Sequence, residues 1–233
     1  MIIYFRCTSK PETVSGVDRW VDCIKDELVL KCWMSLQLAV VPGDDTFIVI
    51  HDELSSGALE FIKETRTCST EFIEVEPHDI QDRAHTFKLL DVLEDNIEKD
   101  TANKIHYIVE DDYLHTKESL NICKEILGSG LWEHFVVPYD YPDRYSLDNQ
   151  ACGLMVGPHC HWRTNPSATY TLMARAETWK STMPIMREHA PHNFTEDAFK
   201  QHPCISPIPG VASHLTLHHM TPIVDWHSVW NQL

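Results

Sequence analysis

Between residues 1 and 140, short apolar runs rich in β-branched and aromatic residues alternate with longer segments of helical period. That alternation restricts the chain to an α/β layer structure. The strand-like runs are residues 2–6, 46–50, 72–75, 105–109 and 135–137. The intervening helical segments are residues 26–41, closed by Pro42-Gly43, then 56–66, with Leu59, Phe61 and Ile62 on one side. The series Phe87, Leu89, Leu90, Val92, Leu93 and Ile97 follows, and then residues 117–127, stopped at Gly128. Strand–helix–strand repetition predicts a mostly parallel sheet of about seven strands with helices on both faces.

The remainder reads differently. Residues 138–166 carry Pro138, Pro142, Pro158 and Pro166 with few apolar runs and read as a long loop region, of the kind that carries function. A strand is expected at 168–174, a helix at 177–188 with an internal Pro184, and a short helix at 195–200. The last thirty residues, rich in His and Pro, read as a wrap-around tail. At 233 residues the chain suits one large domain, residues 1–140 forming one half and 141–233 the other.

Nineteen basic residues against thirty-five acidic ones give a formal charge of −16, which disfavours nucleic acid and anionic membranes. Arg163, Arg175, Lys180 and Arg187 are the candidates for a local basic patch, and their spacing reads as a scattered surface. Eight cysteines without a CxxC pair fit reduced thiols in the cytosol. The apolar start at Met1 to Phe5 is stopped by Arg6, too short for a signal peptide, and no run reaches the ~20 residues of a membrane span. A soluble, cytoplasmic protein is expected, and the sequon Asn193-Phe194-Thr195 is read as chance.

Chemistry concentrates at Tyr107-Ile108-Val109-Glu110-Asp111-Asp112-Tyr113. Three consecutive carboxylates directly after a buried strand are costly unless something positive sits beside them. The carboxyl ends of strands in an open α/β sheet face the ligand crevice. Mg²⁺ or Mn²⁺ is commonly held by one or two carboxylates plus substrate phosphates.

An apolar strand, Glu110-Asp111-Asp112, and then a helix with Glu118-Ser119-Leu120 resembles the DxD region of GT-A-fold glycosyltransferases, most closely their large inverting group. The resemblance implies a three-layer α/β/α sandwich and a nucleoside-diphosphate sugar as donor. It also implies Mn²⁺ or Mg²⁺, and an acceptor hydroxyl on a glycan, lipid, protein or hydroxylated DNA base. Glu110 stands where the motif has Asp, so metal binding rests on Asp112 first and Glu110 second. Arg6 and Thr8, at the end of the first strand, resemble the nucleotide-contacting loop. Asp52 stands where the family places an acid near the donor's base or ribose, and Asp111 joins these as a donor contact. Glu196 and Asp197 in Thr195-Glu196-Asp197 resemble the Glu-Asp motif, which makes Asp197 the base that deprotonates the acceptor and implies inversion. His218 or His219 would supply the C-terminal metal ligand common in this group.

Outside that resemblance, Arg163 could balance diphosphate charge or form an ion pair. Trp162 is the preferred sugar-stacking face. Cys152, His159, Cys160 and His161 form an alternative zinc set, although they lack the usual two-residue spacer. Two other activities share the acidic strand: a metal-dependent nucleotidyltransferase, and a non-catalytic member of the fold that binds nucleotide or glycan. Eight glycines with none clustered near the first strand disfavour the former.

Overall fold

The computed structural model describes residues 1–10, 18–76, 84–145, 151–189 and 195–233. Four strands form the parallel part of the sheet: β1 (Ile2–Thr8), β2 (Thr46–Asp52), β3 (Ser69–Glu74) and β4 (Ile105–Glu110). Their near-continuous apolar runs are what a strand covered on both faces requires. Ile3, Phe5, Phe47, Val49, Tyr107 and Val109 are all essentially inaccessible. The connecting helices are α1 (Lys25–Ala39), α2 (Ser56–Thr65) and α3 (Ala84–Lys99). Ser55 caps α2, its side chain accepting from the Ala58 amide at 3.1 Å.

After β4 the chain turns through the short β5 (Tyr113–His115) into α4 (Ser119–Gly128) and β6 (Phe135–Val136). A hairpin of β7 (Leu154–Val156) and β8 (His161–Asn165) precedes β9 (Leu172–Arg175) and α5 (Ala176–His189). The described chain closes with α6 (Thr195–Gln201), β10 (Cys204–Ile208), β11 (Ala212–His214) and α7 (Trp226–Asn231). Among the described residues the main sheet has nine strands in the order β3-β2-β1-β4-β9-β6-β10-β8-β7, and β11 pairs antiparallel with β5 as a separate ribbon. Only β9 and β8 run against the other seven strands of the main sheet. Helix α1 packs with α2 and α4, while α5 packs with α3 and α6, which gives the three layers expected.

The expected strand count was low because the Pro-rich stretch holds β7 and β8. The β8 sequence His-Trp-Arg-Thr-Asn has one apolar residue, so no apolar run marks it. Pro207 does not break β10, since only Cys204 and Ile205 pair with β6. The expected strand at 168–174 shortens to β9, because the residues before it bond sideways. Ala168 exchanges hydrogen bonds with the Thr195 hydroxyl, and the Thr169 amide donates to the Tyr141 hydroxyl at 3.1 Å. The C-terminal stretch is more than a wrapping tail, for it supplies β11 and α7. Trp226 and Trp230 close a second apolar cluster with Leu28, Cys32, Leu114 and Leu215.

Candidate active site

The register of the parallel strands gathers the site. Arg6 of β1 lies opposite Glu110 of β4 and Ile50 of β2, and Thr8 lies opposite Asp52. The carboxyl ends of three strands therefore deliver Arg6, Thr8, Asp52 and Glu110 to one edge, with Asp111 and Asp112 in the turn that follows.

Each acid has a cationic partner. Arg6 forms an ion pair with Glu110, donates its other terminal nitrogen to Thr86 at 3.0 Å, and lies over the Tyr170 ring. Asp111 accepts from Lys25 Nζ at 2.8 Å and from the Thr8 amide at 2.9 Å, so both its oxygens are engaged. Asp112 Oδ2 takes Arg19 at 3.1 Å and His214 Nε2 at 2.9 Å. Asp52 is buried, 3.3 Å from Lys10 Nζ and 3.5 Å from His85 Nδ1.

The ionisation of these groups follows from burial set against charge. Burial pushes the Glu110 carboxyl up, against the downward pull of Arg6. Burial also opposes ionisation of Asp112, yet His214, Lys25 and Arg19 together hold its carboxyl well below the usual range. Burial disfavours the His214 charge, and Asp112 outweighs it and raises the imidazole. Each group thus favours the charged form of the other. The His214 ring stacks on Tyr113 with centroids 4.8 Å apart and planes at 6°, and on His219 at 5.9 Å.

Among the described residues, no three His, Cys, Asp or Glu side chains are arranged to hold a metal ion by themselves. One atom nevertheless fits an ion. Asp112 Oδ1 is buried without a hydrogen-bond partner, as is His219 Nδ1 in the adjacent stack. A divalent cation at Asp112 would complete its shell with water or substrate oxygens, the usual practice of Mg²⁺ and Mn²⁺.

Helix α6 is tied to this edge by hydrogen bonds. The Thr195 hydroxyl accepts from the Ala168 amide at 3.1 Å and donates to its carbonyl at 2.7 Å, while Thr169 bonds the Tyr113 hydroxyl at 2.7 Å. Glu196 is exposed, and Asp197 sits in the first turn, paired with Lys200 at 2.6 Å. A cavity of about 650 Å³ beside α6 is lined by Arg144, Arg163, Glu196 and Lys200 among others. A second, of about 630 Å³, is lined by Ser9, Arg19, Ile24, Lys25 and Ser55 among others.

Of the sequence-derived candidates, Arg6, Thr8, Asp52, Glu110, Asp111 and Asp112 share the strand edge. His219 reaches it through the ring stack, and His218 is exposed. Arg163 is buried in an ion pair with Asp140 at 2.5 Å. The residues that follow Lys10 in the first loop, Pro11 and Glu12, lie outside the described residues, as do Asn193 and Phe194 of the sequon. Sequence reading missed Arg19, Lys25 and the role of His214. The signal for Lys25 was slight, a single base just before the acids of the first turn of α1, and Arg19 had none.

Other expectations are corrected. Trp162 is fully buried in the core and offers no face to a sugar. The basic residues are scattered, as their spacing implied. Arg163 pairs with Asp140, Lys180 with Glu98, Arg187 with Asp91 and Glu94, and Arg175 donates to the Leu127 carbonyl. The zinc set does not assemble either, since His159 pairs with Glu125 at 2.5 Å and Cys152 is exposed.

No family model matches the chain, and no curated protein matches its sequence. Among solved structures, S. aureus TarS matches 88% of this chain at 11% identity with a TM-score of 0.51, and the chain spans 34% of TarS. The galactosyltransferase LgtC, solved with donor and acceptor sugar analogues, matches 87% at 12% identity and a TM-score of 0.43, with 65% of its own length covered. An active-site mutant of LgtC matches 86% at 13% identity and a TM-score of 0.42, with 64% covered. The chain therefore spans less than two thirds of each of these proteins. With its parallel β1–β4 core and acids at the carboxyl edge, it has a GT-A-like α/β fold.

Proposed function

We propose that the chain is a glycosyltransferase that moves a sugar from a nucleoside-diphosphate sugar to an acceptor hydroxyl, with inversion. The observation that carries the reading is the state of Asp112. At the carboxyl edge of the parallel strands, one of its oxygens is held by Arg19 and His214 and the other is buried and free. A Mn²⁺ or Mg²⁺ ion bound there would supply charge neutralisation to the leaving diphosphate.

The protein's own groups have distinct tasks. Arg19 and Lys25 line the cavity beside Ser9 and hold the nucleotide end of the donor by charge-assisted hydrogen bonds. Arg6, braced by Glu110 and Thr86, fixes the end of β1 against β4. Asp197 takes the proton from the acceptor hydroxyl, and the acceptor occupies the cavity beside α6, which the neighbouring Glu196 lines. The Lys200 partner of Asp197 is largely exposed, so solvent screens that pair.

The test is sugar transfer with a panel of nucleoside-diphosphate sugars and mixed acceptors in the presence of Mn²⁺. Asp112→Asn and Asp197→Asn are each expected to lower kcat by about 10²-fold or more, Asp197→Asn with nucleotide affinity intact. Wild-type turnover in both variants would sink the assignment. Nucleotide binding without turnover in the parent would favour the non-catalytic member of the fold.

A further inference from the structure

At the opposite end of α6 from Glu196 and Asp197, two histidines face each other. His134 precedes β6 and His202 follows α6, and their Nδ1 atoms are 3.4 Å apart, with ring planes at 66°. The contact is a long hydrogen bond. It matches the separation of about 3.3 Å that two nitrogens ~2.05 Å from one tetrahedral cation must have.

The neighbouring groups fix which nitrogen is available. Ser181 of α5 donates its only hydroxyl proton to the Thr178 carbonyl at 2.8 Å, so it must accept from His202 Nε2 at 2.9 Å. In the neutral ring that leaves the lone pair on His202 Nδ1, directed at His134. A ring nitrogen held by a second-shell partner, with the other free to ligate, is the usual arrangement of a metal-binding histidine. Both residues are half-buried and reachable from solvent.

We propose that His134 and His202 form a two-imidazole site for a borderline transition cation, Zn²⁺ foremost, with water completing the shell. Imidazole pairs suit Zn²⁺, Ni²⁺ and Cu²⁺ and do not suit Mg²⁺. The site lies where the end of α6, the start of β6 and Ser181 of α5 meet, so an ion there clips the helix that carries Asp197 onto the sheet. It shares no residue with the acidic edge and stands whether or not the glycosyltransferase reading does.

The test is calorimetric titration of ZnCl₂ into the full chain carrying Asp112→Asn, which removes the candidate ion site at the acids. One Zn²⁺ is expected to bind and to raise the melting temperature. His134→Gln and His202→Gln, each added to that background, are expected to weaken binding at least tenfold and abolish the thermal shift. Ni²⁺ should quench the fluorescence of Trp132, whose ring lies 5.5 Å from that of His134, in the parent and not in either variant. Unchanged Zn²⁺ affinity in either variant, or no Zn²⁺ binding by the parent at millimolar metal, would overturn the proposal and leave an ordinary histidine contact.

Discussion

Asp140 is buried and Asp112 and Glu110 are partly buried, and each is matched by a cation that the fold places beside it. The clearest case away from the acidic edge is Asp140. It is fully inaccessible and bonded by Arg163, by the Tyr145 hydroxyl and by Ser206 at 3.4 Å. Removing one member of a buried pair strands the other charge, which costs more than the pair contributes. Arg163→Met is therefore expected to lower unfolding free energy by about 3 kcal/mol, read as a shift in urea midpoint at constant slope. A change below about 0.5 kcal/mol would mean that water or another group compensates Asp140. Arg163 was visible in the sequence as a charge in a loop. Its partner was not, because pairing Asp140 with Arg163 depends on β8 lying next to β10 in the sheet.

The elements that sequence reading found are those whose pattern is strong over their own length. Strands β1, β2 and β4 are apolar runs, and α3 carries its apolar residues at helical spacing. What it missed depends on distant partners. Strand β8 becomes a strand only through β10 and β7, and β11 only through β5. The acids of the site were legible because they end a buried strand, whereas Arg19 arrives from a loop and His214 from the end of β11, both far away in sequence. The β7–β8 hairpin also shows why Trp162 could not face a substrate. A Cβ at Gly157 would stand 2.2 Å from Trp162 Nε1 and 3.3 Å from Ile126. The indole is packed against the backbone of its own hairpin. Gly157→Ala forces that rigid ring to move, and an expected cost of about 2 kcal/mol should appear as a lowered melting temperature. An unchanged melting temperature would show that the hairpin yields without disturbing the core.

Across the whole molecule, an acidic chain of net charge −16 concentrates cations where its parallel strands end. Arg6, Lys10, Arg19, Lys25 and His214 all converge on the four acids of that edge. The acids are thereby close to neutralised before any ligand arrives. An added diphosphate brings further negative charge, which these cations and a divalent ion at Asp112 Oδ1 would share. No helix among the described residues is long and apolar enough to cross a membrane.

If that edge is a nucleotide site completed by metal, a thermal-shift series shows it directly. The full chain is melted with UDP, GDP, CMP and dTDP, each with Mn²⁺ and with EDTA. At ~100 times its dissociation constant a ligand stabilises by about 2.7 kcal/mol, well within reach of the method. The account predicts that one nucleoside diphosphate raises the melting temperature with Mn²⁺, that EDTA removes the effect, and that Asp112→Asn abolishes it. A folded protein that no nucleotide stabilises in either condition would contradict the account.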